Sequence, residues 1–471
     1  MKKMKAALAG FLAISMLAGC SSGGNTAKEQ SQNAGTTAVA ETNSSEAETK
    51  QDSGEKIPLT MWFWGATPEQ QDVLTSALIN KFNEENPDYE LSVEYRASVN
   101  NDVRVAISAD QGPDILYESS PGLAGTYIEA GKYADLTPYA QQYGWKDKML
   151  DPAYSSCTFN DKLYLVPMGL NVVGMFYDVK TLEENGWAVP ETIEDVEKIM
   201  DEAMAKGMYA SLNGNATWKA NNEDYVTMFL NGWAGPEEVY KALKNEQDWN
   251  SELLRGAVQT SAEWYQKGYL CKDYNALGRN EALQMMSDGK APFHFGASKS
   301  FQFAAPFYEG DRAGDLKFMA VPAGREGVTT NYALGCTGVL GINEASEHKD
   351  ICAKFLDMLM QPETVGELSR DWPGYWCVPL KDLNKVDTSD YNVYSKNAMD
   401  AIIQAIDAVN AGNFGYYASS CMPPQTFDEF VNIEVVWFGD EDAETYMTKI
   451  DGIFDAEDEK GLVPPIPALN K

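Results

Sequence analysis

Aromatic residues set beside glycine, proline or small polar residues recur at four points of the chain: WFWG (residues 62–65), NGNATW (213–218), DWPGYW (371–376) and NFGYY (413–417). The faces of pyranose rings present C–H groups that stack on indoles, while Asn, Asp, Glu and Ser side chains satisfy the hydroxyls. Flat rings beside planar amides are therefore what a sugar site needs. Taken singly, a loop tryptophan is more often a lid over the core, so the recurrence carries the weight. The catalytic alternatives offer less. Of two histidines, His294 sits in an apolar strand and His348 near a helix start, which reads as packed or solvated in each case. There is no G-x-S-x-G elbow, H-E-x-x-H pair, Walker loop or G-x-G-x-x-G turn. Among 70 acidic residues some pair must fall at glycosidase spacing, and the sequence selects none. Beyond Cys20, the cysteines at 157, 271, 336, 352, 377 and 421 form no C-x-x-C or C-x-x-H pair, so no metal site and no cofactor is expected. Most read as small buried hydrophobes.

The rest of the composition narrows the setting. A chain of 471 residues exceeds what one core usually serves, so two lobes are expected. A net charge of −33 repels phosphate backbones, which excludes nucleic acid as a partner. Lys2, Lys3 and Lys5 followed by an apolar stretch and small residues form a secretory leader, too short to span a bilayer. Its ending, Leu17-Ala18-Gly19-Cys20, resembles the bacterial lipobox, which would place acyl chains on Cys20 and tie the protein to a membrane outside the cytoplasm. Residues 21–56 hold no aromatic residue and read as a disordered tether.

The elements that would position the aromatic loops follow an α/β pattern. Leu59 to Trp64 is an apolar run read as a strand buried on both faces, closed by Gly65. Thr67-Pro68-Glu69-Gln70 is a helix start with a capping hydroxyl, proline in the first turn and glutamine three residues beyond the cap. Leu74, Ala77, Leu78 and Phe82 continue at helical spacing until residues 85–88, and Leu91, Val93 and Tyr95 alternate as the next strand. This is a βαβ unit with parallel strands. A helix near residues 99–109 leads to the strand DILYESS (114–120), so Trp64 and Glu118 end strands that point the same way. Ligands of open α/β sheets sit beyond such carboxyl ends, which favours Trp64 over Trp62 as a contact. Residues 162–178 hold two apolar runs around Pro167 and Gly169, where a chain can cross between lobes. Strands are also expected at 291–296 and 338–343, and amphipathic helices at 192–207 and from Ser346 to Pro362.

The leader and tether, LTMWFWG (59–65), FNEENP (82–87), GPDILYESSPGLAGTYIEAGKYADLTPY (112–139), KLYLVPMGLNVVGMFYD (162–178), INEASEHKDICAKFLDMLMQPE (342–363) and MPPQTFDEF (422–430) together resemble extracellular solute-binding proteins of the maltose-binding-protein class. The likeness covers nearly all of residues 57–471. It implies a two-lobe periplasmic-binding-protein-like fold with a hinge and an interlobe cleft: one α/β lobe from 57–168 and 333–378, the other from 169–332 and 379–471. It also implies a non-enzymatic, monomeric protein that captures an oligosaccharide and hands it to the permease subunits of an ABC transporter. By position it implies ligand contacts from Trp64, Glu118, Ser119, Ser120, Asn171, Asn213, Asn215, Trp218, Gly296, Ser298, Trp372 and Trp376. The run Glu118-Ser119-Ser120-Pro121-Gly122 departs from the aromatic and charged residues of maltose binders, which argues against maltose. Basic residues are scarce at these positions, Lys299 being the nearest, which weighs against an anionic ligand. A surface-anchored glycoside-active enzyme, or a binder of peptides or polyamines on the same scaffold, are the alternatives.

Overall fold

The structure is a computed structural model, and it describes residues 56–216 and 219–469. The leader, Cys20, nearly all of the tether and Trp218 lie outside the described residues. The strands are β1 (Ile57–Trp64), β2 (Tyr89–Arg96), β3 (Ile115–Glu118), a short hairpin β4 (Thr158–Phe159) and β5 (Lys162–Leu163), then β6 (Val166–Asp178), β7 (Phe293–Ala297), β8 (Leu316–Met319), β9 (Tyr332–Ile342) and β10 (Phe414–Tyr416). Eight of them form one sheet in the order β2-β1-β3-β9-β6-β7, with β10 on β9 and β8 on β6.

The βαβ unit forms as its periodicity requires. β1 lies parallel to β2 and to β3, so Trp64 and Glu118 emerge at the same end. Thr67 and Gln70 make the capping box that starts helix Pro68–Leu74: Gln70 N donates to Thr67 Oγ1 at 3.4 Å and Thr67 N to Gln70 Oε1 at 3.0 Å. β1 itself departs from a strand buried on both faces. Leu59, Met61 and Phe63 are buried while Trp62 and Trp64 are half-buried, and the Arg96 guanidinium lies 3.5 Å from the Trp62 ring centre on that partly open face. Pro362, expected to end the helix Lys349–Leu359, opens the next one, Pro362–Asp371, as a first-turn residue lacking an N–H that would otherwise be orphaned.

Two long strands organise the rest. β6 and β9 run antiparallel along each other. At one end β9 pairs with β3 through Val339 to Ile342. At the other, β6 pairs with β7 and β8, and β9 with β10 through Tyr332 to Leu334. The sheet therefore has a first part around β1–β3 and a second around β7, β8 and β10, sharing two strands. A third passage lies beside them, where Leu170 N donates to Cys377 O. Gly169 permits this approach, since a Cβ there would sit 2.8 Å from Tyr375 O. The mixed α/β architecture and the paired sheet regions agree with the fold the resemblance implies. No described helix is long and apolar enough to cross a membrane.

Candidate functional site

An aromatic cluster forms where the carboxyl end of β1 meets the loop after helix Pro362–Asp371. Trp64 Nε1 donates to Tyr375 OH at 2.6 Å. Trp372 stacks on Tyr375 with centroids 4.7 Å apart and lies 5.8 Å from Trp64. Trp376 stacks almost parallel on Phe63 at 6.1 Å. Trp372 and Trp376 are buried, whereas Trp64 and Tyr375 keep a partly exposed face. Such a wall offers stacking area with little rotamer freedom to lose on binding.

The loop reaches the second part of the sheet. Gly374 has φ +82°, and a Cβ there would lie 2.6 Å from Phe301 Cβ, so only glycine lets the loop rest on helix Ser300–Ala304. From that helix Gln302 Oε1 accepts from Trp372 Nε1 at 2.9 Å and from Gln70 Nε2 at 3.5 Å. Gln302 thus joins β1's following helix, the aromatic loop and the β7 side.

A second cluster is polar. Helix Ala220–Phe229 opens with Asn221, Asn222, Glu223 and Asp224, all buried. Asp224 is only 1% exposed and faces the charges of Arg279, Lys299 and Glu223. Burial, with Glu223 adding to it, pushes its carboxyl up to about 7, while Arg279, Lys299 and a hydrogen bond from Asn213 pull the other way. Burial pushes the Lys299 ammonium down, and Arg279 adds to that. Tyr417 OH lies 3.4 Å from Asp224 Oδ1. Asn171, in the middle of β6, accepts at Oδ1 from Ser298 Oγ (3.4 Å) and Lys299 N (3.3 Å). Four buried polar atoms in this neighbourhood have no hydrogen-bond partner among the described residues: Asn171 Nδ2, Asn221 Oδ1, Asp224 Oδ2 and Arg279 Nε. Left unmet, each costs about 1–3 kcal/mol, so donors and acceptors together mark a place for a ligand that supplies both.

The eleven described residues of the twelve singled out from the sequence divide by environment. Trp64, Trp372 and Trp376 come together in the aromatic cluster, and Asn171 and Ser298 in the polar one. Asn213 spends its amide on Phe295 O and Gly214 N, and Asn215 on Asn222 and Asn221 N. Both shape the loop that precedes the polar helix. Glu118 is fully buried and held by Arg104 at 2.8 Å and by Ser119 N at 2.9 Å. Burial raises its carboxyl and Arg104 works against that rise. Ser119 Oγ accepts from Asn100, and Ser120 Oγ donates to Ser419 O at 2.9 Å. Gly296 lies in β7 opposite Gly174, against His294. His294 is packed: it hydrogen-bonds Leu212 O at 2.8 Å, and burial takes it down to about 4. Sequence reading overlooked Gln302, Asn221, Glu223, Asp224 and Arg279. Tyr375 was within a quoted run without being singled out. The buried NNED run opening a helix just after an aromatic loop was a visible signal. The proximity of Arg279 was not, and it adds a second cation to Lys299. Among the described residues no group of three or more His, Cys, Asp or Glu side chains could hold a metal ion.

Comparison with known proteins assigns this architecture. The profile of bacterial extracellular solute-binding proteins matches residues 77–394. The chain is 30% identical over 160 residues to the diacetylchitobiose-binding protein of Streptomyces coelicolor, covering 31% of this chain and 32% of that one. It is 21% identical over 229 residues to the multiple sugar-binding protein of Streptococcus mutans, covering 47% and 53%. The aligned parts thus span about a third to a half of those relatives' length. Among solved structures, a chitin-oligosaccharide-binding protein superposes with a TM-score of 0.71 at 18% identity, covering 86% of this chain and 99% of that one. A protein from work on xylan utilization by Caldanaerobius polysaccharolyticus gives 0.71 at 20% identity, covering 84% and 100%. At these identities the superpositions speak for the fold, a two-lobe one, and the profile speaks for the family. This chain belongs to the bacterial extracellular solute-binding proteins, a family of binders rather than enzymes.

Proposed function

We propose that the protein is a lipid-anchored, extracytoplasmic, monomeric capture subunit that binds a sugar, in particular an oligosaccharide, and delivers it to the permease of an ABC transporter. The observation that carries this reading is the pairing of an aromatic wall (Trp64, Trp372, Tyr375) with a polar set whose buried atoms find no partner among the described residues (Asn171, Asn221, Asp224, Arg279). Rings hold the apolar faces of a sugar, and amides and charges replace the water on its hydroxyls. The similarity to proteins named for binding diacetylchitobiose and multiple sugars supports the same ligand class. The lobes run from 57–168 with 333–378 and from 169–332 with 379–471, so that the first change-over lies in β6 and the second at the start of β9. Binding is without bond-making: contacts from both lobes favour a closed state, which docks on the permease. Cys20 carries the anchor. Glu118, Ser119, Ser120, Asn213, Asn215 and Gly296 shape the site beside the direct contacts, and Trp218 is a further ligand contact.

The test is titration of the protein with a panel of oligosaccharides while tryptophan emission, melting temperature and product release are followed. Saturable shifts without products are expected. Turnover of a sugar, or silence to every sugar with a response to a peptide or amine, overturns the reading.

A further inference from the structure

The segment that leads into helix Ser300–Ala304 has its two ends committed to different clusters. At its start, Ser298 Oγ and Lys299 N donate to Asn171 Oδ1 in the polar cluster. At its other end Gln302 turns to the aromatic wall, where its Oε1 accepts from Trp372 Nε1 at 2.9 Å and from Gln70 Nε2 at 3.5 Å. Trp372 and Gln302 are 2% and 8% exposed, so little water is at hand to replace that oxygen. The backbone between is fixed from outside: Tyr394 OH donates to Phe301 O at 2.5 Å, and Gly374 rests on Phe301. Both donors are committed in turn. Gln70 Oε1 accepts from Thr67 N, which leaves its Nε2 to face Gln302. The Trp372 ring stacks on Tyr375, whose hydroxyl accepts from Trp64 Nε1. A chain of oriented groups therefore runs from Asn171 through residues 298–302 to Trp372, Tyr375 and Trp64.

We propose that Gln302 sets ligand affinity as a positioning residue: its side-chain oxygen ties the aromatic wall of the first lobe to the second, in the arrangement in which wall and polar cluster receive one sugar. The inference rests on the proposed sugar-binding reading and its lobe boundaries, which put Gln302 in one lobe and Gln70 and Trp372 in the other. A chemical requirement follows. Two N–H donors converge on one oxygen, so the position calls for an acceptor there. An apolar side chain of the same length leaves the buried Trp372 N–H without a partner and removes a contact the lobes share. Ligand contacts alone must then gather the lobes, and the apparent affinity falls with the fraction of chains that are no longer gathered. A carboxylate meets the same requirement, since it offers acceptor oxygens at the same reach and takes N–H bonds with the help of its charge. Trp376 supplies the contrast. It stacks on Phe63 within the first lobe and its Nε1 has no partner among the described residues, so it makes no comparable tie.

The deciding experiment compares the full chain with Gln302→Met, Gln302→Glu, Trp372→Phe and the double variant Gln302→Met with Trp372→Phe. Near-UV circular dichroism of the ligand-free proteins reads ring orientation, and calorimetric titration with a sugar that the parent binds reads affinity. Gln302→Met is expected to alter the near-UV spectrum and to weaken binding about tenfold. Gln302→Glu, measured at about pH 8, is expected to recover most of both. Trp372→Phe lacks the indole N–H and is expected to weaken binding, with little further loss in the double variant, because both changes break one bond. Unchanged or tighter binding by Gln302→Met, equal losses in the Met and Glu variants, or fully additive losses in the double variant overturns the proposal. Where Gln302→Met does not fold, Trp372→Phe and Gln302→Glu carry the test: weakened binding in the first with near-parental binding in the second supports the tie, and the reverse overturns it. Silence of the parent chain to every sugar overturns the proposed function instead. The spectra then decide the tie, since a spectrum altered by Met and recovered by Glu supports it and an unaltered one overturns it.

Discussion

The aromatic cluster around Trp64 and the polar cluster around Asp224 differ in how fully their own contacts are met. In the first, Trp64 Nε1, Tyr375 OH and Trp372 Nε1 have partners inside the protein and the rings stack on each other, while Trp376 Nε1 is buried without a partner among the described residues. In the second, Asn171, Asn221, Asp224 and Arg279 keep buried polar atoms without partners among the described residues. A surface whose exposed rings are already satisfied contributes shape and stacking to any ligand of the right flatness. A surface that is not satisfied discriminates, because a ligand lacking a matching hydroxyl leaves the cost in place. Affinity from one side and selectivity from the other is the division this arrangement predicts.

Substitutions can break that division in order of effect. Trp376→Ala removes a buried ring stacked on Phe63, and a loss of about 3–5 kcal/mol in stability is expected from denaturant titration, with binding lost only as folding is lost. Asp224→Ala is expected to lower sugar affinity about 10- to 100-fold by calorimetry while leaving the melting temperature unchanged or higher, since it removes a buried carboxyl along with its contact to the ligand. If instead stability collapses and affinity holds, the polar cluster is structural. Trp64→Ala is expected to weaken binding about tenfold, more than it lowers stability. Trp62→Ala should do the reverse, costing about 1 kcal/mol of stability with its Arg96 contact and leaving binding intact.

A separate effect is a pH dependence. The folded Asp224 carboxyl stands at about 7, above its ordinary 3.8, so between those values the native state holds a proton that the unfolded chain has released. Stability in the absence of ligand therefore falls as pH rises through that window. His294 works oppositely: at about 4 against an ordinary 6.5, it gives stability that rises with pH through its own window. The two offset each other below pH 6.5, so the Asp224 contribution is read as a difference. Melting curves of Asp224→Asn and the parent should converge toward low pH and separate toward pH 8, with the variant the more stable. Parallel curves would show that Asp224 is ionised throughout.

Much of the frame was legible because it is local. The capping box at Thr67, the alternation of β2 and the apolar run at 162–178 are written in neighbouring residues, and they form the elements they signal. The aromatic loops were legible by type, and the rings of WFWG and DWPGYW meet although some 310 residues separate Trp64 from Tyr375. What was hidden depends on tertiary approach. Glu118, read from the sequence as a ligand contact at a strand end, pairs with Arg104 of helix Val99–Ser108. Arg279 joins Asp224 from a distant helix, and no spacing in the sequence announces it. The both-sides burial expected of β1 failed because an apolar run cannot say whether a second layer will cover it.

The central claim, one sugar held by both clusters without chemistry, is tested most directly by calorimetric titration of the full chain, Trp64→Ala and Asp224→Ala against the same oligosaccharide panel with product analysis. The account predicts saturable binding of at least one oligosaccharide by the parent chain, no products, and weakened binding of that sugar by each variant while both remain folded. Binding of every sugar unchanged in both folded variants, or cleavage of the sugar, would contradict it.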